Sequence, residues 1–82
     1  MIMVDVYVPA LDREYDFTLD QNVKVSMIVE EISEMIAHKE HSEIVGSMDG
    51  LMLFDRQEGK RLSGSATLAS GGIRTGSKLI LV

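Results

Sequence analysis

The chain contains no cysteine, a single proline and no long hydrophobic run. Small secreted domains are usually cross-linked by disulfides, so a cysteine-free chain of this size indicates a reducing compartment. The absence of thiols also excludes thiol catalysis and zinc sites built on cysteine. The apolar runs are only a few residues long, and none can span a bilayer. Because the first residues lack the basic and apolar regions of a signal peptide, we expect a cytoplasmic protein.

Positive charge is also scarce, since 8 Lys and Arg face 13 Asp and Glu, giving a formal net charge of −5. An acidic domain repels a phosphate backbone, so general nucleic-acid binding is disfavoured. The acidity serves either solubility or attraction toward a basic partner surface, and both interpretations stay open. The 82 residues, 45% of them hydrophobic, suffice for one core but not two domains. We therefore predict a single domain over residues 1–82.

Two segments near the start alternate between apolar and polar residues, as strands with one buried face do. They cover residues 2–8 and 14–20, and Pro9 fits the loop between them because it cannot donate a ladder hydrogen bond. The pair is predicted to form an antiparallel hairpin with one apolar face. That face carries Ile2, Val4, Val6 and Val8 from the first strand, and Tyr15, Phe17 and Leu19 from the second.

From Val25 to about His38 the apolar period changes to that of a helix. Lys24 is a poor N-cap, so Asp20 or Asn22 is a candidate for helping the helix to begin. The predicted core stripe consists of Val25, Ile28, Val29, Ile32, Met35 and Ile36, with Glu30, Ser33, Glu34 and Ala37 on the other side. Such a helix would cover the apolar face of the hairpin.

The second half of the chain predicts a connecting loop over 40–50, strands over 51–54 and 78–82, and a brief strand at 61–63 after a polar turn. Helix and strands then segregate into two layers, which is the α+β class.

Candidate chemical sites are few. His38 and His41 have a spacing that suits a metal on one helix face, but His41 is expected beyond the helix, and a solvated helix end is the favoured interpretation. The carboxylates of residues 30–34 lie on the outer side of the predicted helix, whereas acid–base work needs buried carboxylates, so a solvated helix face is the favoured interpretation. Gly71-Gly72 lacks the Lys-Ser/Thr ending of a phosphate loop and indicates a turn. We therefore expect no enzyme activity, metal or cofactor.

The last third of the chain carries a family resemblance. Its ordered residues, Thr67-Leu68, Ile73, Gly76, Leu79 and Leu81, resemble the closing pattern of ubiquitin-like domains. The resemblance covers nearly the whole chain and implies the ubiquitin-like β-grasp fold, a ββαββ mixed sheet with one helix packed across one face.

Within that superfamily the chain looks most similar to the YukD/EsaB ubiquitin-like proteins. The similarity lies in Val4-Asp5-Val6, in a helix that begins with valine, and in an end directly after the last strand. Members of that group are associated with the type VII secretion apparatus of Gram-positive bacteria. The resemblance implies an accessory or regulatory protein-binding component, with a membrane component of that system as a candidate partner.

Ubiquitin-type conjugation requires a flexible C-terminal tail that ends in Gly-Gly. Here Gly71-Gly72 precedes the last predicted strand, and the sequence stops at Leu79-Ile80-Leu81-Val82. We therefore expect neither conjugation nor sulfur-carrier chemistry. A carrier or modifier matured by proteolysis stays open as an alternative.

The open face of the sheet is the predicted working surface. If Leu51 and Leu53 point inward, Met52 and Phe54 point outward; the same alternation directs Ile80 and Val82 outward. The β-grasp fold places the third and last strands side by side, so the sequence predicts a protein-interaction patch of Met52, Phe54, Ile80 and Val82, flanked by Met3 and Tyr7. The competing hypothesis is that this patch drives homo-oligomerisation of a structural subunit.

Overall fold

A computed structural model describes residues 1–40 and 50–82 of the chain. The described residues form β1 (Ile2–Val8), β2 (Arg13–Leu19), α1 (Val25–Glu40), β3 (Leu53–Asp55), β4 (Lys60–Arg61) and β5 (Lys78–Leu81). The loop predicted over 40–50, and His41 with it, falls almost wholly outside the described residues.

The strands form one mixed sheet in the order β2-β1-β5-β3-β4. β5 lies at its centre, parallel to β1 and antiparallel to β3. The outer pairs, β1 with β2 and β3 with β4, are antiparallel hairpins. The predicted α+β β-grasp fold is confirmed, with five strands rather than the four of the ββαββ order. The additional brief strand lies at Lys60–Arg61 instead of 61–63.

The core lies between α1 and the sheet face that the alternating pattern assigned to it. Every second residue of β1 is buried, and Ile28, Ile32 and Ile36 of α1 are completely enclosed. Leu68 and Ile73, which carried the ubiquitin-like resemblance, are buried in the same cluster. At about 25 cal/mol per Å² of apolar surface removed from water, this burial is the main force holding the two layers together.

Two positions on α1 correct the predicted stripe. Met35, assigned to the core, is 37% exposed, whereas Ser33, assigned to the outer side, is only 1% exposed. Successive helical residues are about 100° apart around the axis, so the buried apolar residues span an arc of about 100° from Ile28 to Val29. Met35 falls about 20° outside one end of that arc, and Ser33 about 40° beyond the other. Coverage therefore extends further past Val29 than past Ile28, and apolarity alone does not set which residues are covered.

The beginning of α1 is stabilised by the backbone of a distant loop. The amides of Val25 and Ser26 donate to the carbonyls of Ala66 and Gly64, at 2.8 and 3.0 Å. These carbonyls satisfy amides that a side-chain N-cap satisfies in other helices. Asp20, a candidate cap, accepts instead from the amide of Asn22 at 2.9 Å, within its own turn.

We predict that Ser33→Ala stabilises the protein. The buried Ser33 hydroxyl has no hydrogen-bond partner among the described residues, and an unsatisfied buried hydroxyl costs about 1–3 kcal/mol. Chemical denaturation should show a higher free energy of unfolding for Ser33→Ala. Glu34→Ala is the matched control, because it gives a similar gain in helix propensity at an exposed position. A gain no larger than that of the control would contradict the prediction.

Candidate functional site

The sheet face opposite α1 is uncovered in the described part of the chain, and strand register fixes which side chains share it. Residues directly opposite one another on paired strands point to the same face. One row therefore crosses all five strands on this open face: Glu14 of β2, Tyr7 of β1, Ile80 of β5, Phe54 of β3 and Arg61 of β4.

The centre of the open face carries four apolar side chains that we call the apolar patch: Met52, Phe54, Ile80 and Val82. Phe54 is opposite Ile80 in the register of β3 and β5. Beyond these strands the Val82 amide donates to the Met52 carbonyl at 2.9 Å, which places the other two members side by side. Val82 is 43% exposed and the rest are partly exposed. The structure thus brings together all four predicted residues.

Tyr7 borders the apolar patch, since it is opposite Ile80. Its ring is covered by the guanidinium of Arg56, 5.4 Å from the ring centroid. The same guanidinium lies 2.8 Å from Glu14. The Tyr7 hydroxyl donates to Asp12 at 2.8 Å, and this hydrogen bond raises the pKa of Tyr7 by favouring its neutral form. Arg56 is a member of the site that the sequence pattern missed, because only register brings it over β1.

Met3 lies apart from the other predicted site residues. It is 58% exposed and shares the open face of β1, where Asp5 separates it from Tyr7. Its neighbour across the hairpin is Thr18. Met3 is therefore outside the apolar patch, at the opposite end of β1.

Between Met3 and Tyr7, two carboxylates face one another across the hairpin. Asp5 is opposite Asp16. Protonated Asp5 can donate a hydrogen bond to Asp16, which raises the pKa of Asp5, and burial and the negative charge of Asp16 act in the same direction. Lys78, opposite Asp5 on β5, opposes the rise. Like charges at directly opposite positions destabilise a sheet, so this pair is a local cost to the fold.

Charge divides the open face into two halves. β1 and β2 place only acidic charged residues on it, namely Asp5, Glu14 and Asp16. The charged residues that the other strands place on it are basic: Lys78 on the central strand β5, Arg61 on β4, and Arg56 at the end of β3, whose guanidinium reaches across β5 to Tyr7 and Glu14. Arg13 is no exception, because it pairs with Val8 on the helix side, where it lies 3.6 Å from Glu40. The apolar patch thus lies beside an acidic half on β1 and β2, where Arg56 pairs with Glu14, and within a basic half on β3 and β4 that carries Arg61.

In residues 1–40 and 50–82, no group of three or more histidine and carboxylate side chains is placed to hold a metal ion. His38 is exposed on α1, and His41, its predicted partner, lies outside the described residues. The residues of the open face suit non-covalent contact with another molecule.

Comparison with known proteins places this geometry in a family. A family model described as "WXG100 protein secretion system (Wss), protein YukD" matches residues 3–81. The chain belongs to the YukD family. This family assignment confirms the resemblance seen in the sequence. No curated protein sequence matches the chain.

Solved structures of ubiquitin-like domains have the same fold. The N-terminal ubiquitin-like domain of the 4931431F19Rik protein is 27% identical with a TM-score of 0.76, over 99% of this chain and 72% of that one. The ubiquitin-like domain of Arabidopsis thaliana At2g32350 is 18% identical with a TM-score of 0.72, over 99% and 74% of the two chains. Caldiarchaeum subterraneum ubiquitin is 18% identical with a TM-score of 0.72, over 98% of this chain and 89% of that one. No helix in the described residues is long and apolar enough to cross a membrane.

We predict that Asp5 gives the fold a stability that increases toward acidic pH. Because its pKa is raised in the folded protein, that state holds the proton more tightly than the unfolded chain. The stabilisation is fully present below the ordinary pKa of 3.8 and is lost as pH rises through the raised pKa. Urea denaturation across this range should show the stability of the wild type falling with rising pH relative to Asp5→Asn.

Asp16→Asn should produce the same relative change with pH, because it removes the hydrogen bond and the charge that raise the pKa of Asp5. A stability difference that stays constant with pH, or that grows in favour of the wild type toward neutral pH, would contradict the assignment.

Proposed function

We propose that this protein is a non-catalytic adaptor of a bacterial WXG100, or type VII, secretion system, acting in the cytoplasm. In this proposal the open sheet face binds a protein partner, with a membrane component of the apparatus as the candidate. Family membership supports the link to secretion. The apolar patch on the open face is the observation that supports the binding role.

The composition of the open face suits a protein partner. Protein interfaces combine an apolar centre with a polar rim, and aromatic residues and arginine are enriched in them. Here Phe54 lies among aliphatic neighbours, and Tyr7 with Arg56 forms one border of the patch. Four adjacent apolar side chains on one uncovered face are more informative than apolar residues scattered singly.

The internal glycine pair supports non-covalent binding. The amides of Gly71 and Gly72 donate to the carbonyls of Leu68 and Ala69, both at 3.1 Å, which holds the pair in a turn before β5. A Cβ atom at Gly71 would lie 3.1 Å from a methyl carbon of the buried Leu62. A conjugation or sulfur-carrier terminus must be flexible enough to enter an enzyme cleft, and this pair is a packed structural turn.

We predict that Met52→Asp combined with Ile80→Asp abolishes partner capture. The two carboxylates place charge at the centre of the apolar patch, where binding would remove them from water without a partner charge. The measurement is affinity purification of the tagged protein from its native cells, followed by mass spectrometry of the captured proteins. The expected result is loss of those proteins that the wild type retains over an untagged sample.

Met27→Asp is the matched control, because Met27 is an exposed methionine on α1, on the opposite side of the sheet. Circular dichroism and thermal unfolding establish that each variant is folded. If the double aspartate variant has lost its fold, Met52→Ser combined with Ile80→Ser provides a milder change at the same positions. A folded patch variant that still captures the wild-type partners would overturn the proposal.

A further inference from the structure

The open face is complementary to itself when one copy is rotated onto another. β5 is the central strand and carries Lys78, with the acidic half of the face on its β1–β2 side and the basic half, which carries Arg61, on its β3–β4 side. A two-fold axis that lies between two such faces, parallel to β5, places the acidic half of each copy over the basic half of the other. A two-fold axis across the strands would instead stack acidic half on acidic half.

Register makes this pairing specific. In the row that crosses all five strands, rotation about the axis parallel to β5 brings Ile80 onto Ile80 of a second copy. Tyr7, covered by Arg56, then faces Phe54, and Glu14 faces Arg61. The Tyr7–Phe54 and Glu14–Arg61 contacts each occur twice, whereas Ile80, which lies on the axis, meets its own copy once. Lys78, on the same strand, likewise meets Lys78 of the second copy. The apolar patch thus meets an apolar and aromatic surface, while both ends of the row carry opposite charges.

We propose that in the absence of another partner the open face is occupied by a second copy of this chain, forming a homodimer with its two-fold axis parallel to β5. This inference rests on the proposed function, in which the open face binds proteins, and it identifies the first such protein. The dimer covers the apolar patch until a secretion component displaces one copy.

The end residues of the row have capacity for the intermolecular ion pairs. Glu14 contacts Arg56 through one carboxylate oxygen, and a carboxylate can accept hydrogen bonds on both. Arg61 is exposed and makes no ion pair within the described part of the chain. Two pairs between Glu14 and Arg61 therefore form without breaking the contact between Glu14 and Arg56.

The size of the face predicts a weak dimer. Five strands about 4.8 Å apart, each about five residues long, cover roughly 400 Å² per copy. The total of about 800 Å² lies below the usual area of stable complexes, and such small interfaces are transient. A dimer that dissociates readily leaves the face accessible to a stronger partner.

Charge reversal tests the arrangement. Glu14→Arg places a second guanidinium against Arg61 of the other copy, and Arg61→Glu places a second carboxylate against Glu14. Each variant alone should dimerise at least about tenfold more weakly than the wild type, because like charges oppose across the interface. Mixed in equal amounts, the two variants should form a heterodimer with affinity near that of the wild type, since both contacts again join opposite charges. Sedimentation equilibrium from micromolar to millimolar concentration measures the dissociation constant of the dimer for the wild type, each single variant and the mixture.

The matched control is the mixture of Glu31→Arg with Arg74→Glu, which reverses exposed charges outside the open face and should leave dimerisation unchanged. A wild type that stays monomeric, or single variants that dimerise as well as it does, would overturn the inference. So would single variants that stay weak when mixed. None of these results affects partner capture through the patch, which tests the adaptor proposal separately. Dimerisation without any captured partner would instead remove the adaptor role and leave the dimer.

Discussion

The pairing of β5 between β1 and β3 is the constraint on which the rest of the structure depends. β5 is last in sequence but central in the sheet, so its hydrogen bonds join the two hairpins, which are distant in the chain. The Asp5 amide donates to the Ser77 carbonyl at 3.1 Å, and the Arg56 amide donates to the Lys78 carbonyl at 2.9 Å. Without these bonds the core face would have no continuous sheet to present to α1, and the open face would have no continuous row.

The same pairing produces the functional surface. Residues at 52–54 and at 80–82 become neighbours only when β3 and β5 pair, and Arg56 reaches Tyr7 only across β5. It also sets the charge pattern, because it joins a hairpin that places acidic residues on the open face to strands that place basic residues on it. One set of backbone hydrogen bonds thus establishes the apolar patch, its aromatic border and its two charged halves.

Periodicity in the sequence predicts which way a side chain points better than it predicts which residues that side chain contacts. The alternation with Leu53 and Leu81 correctly directed the four residues of the apolar patch away from the core, because a strand has a strict period of two. A helix gives a weaker rule at the edge of its apolar stripe, which is why Met35 and Ser33 were assigned to the wrong sides. Sequence periodicity also cannot reveal that Gly64 and Ala66 complete the start of α1, since that contact depends on the tertiary fold.

The clustering of the four patch residues was predictable once the family's strand order was assumed. The two charged halves of the open face were not, because they depend on the register that aligns Glu14, Tyr7 and Ile80 in one row. Likewise, net charge indicates that a domain is acidic without showing where basic residues concentrate. Register is set by the whole hydrogen-bonded sheet, which no local segment of the sequence encodes.

The central claim is that the open sheet face, rather than the helix, is where this protein binds other proteins. Methyl NMR with isotope-labelled methionine tests it directly, because Met52 lies in the apolar patch and Met27 is exposed on α1. A soluble paramagnetic agent speeds the relaxation of exposed methyl groups. A captured partner should reduce this paramagnetic relaxation enhancement at the Met52 methyl and leave that of the Met27 methyl unchanged. Protection of Met27 with no change at Met52 would contradict the account.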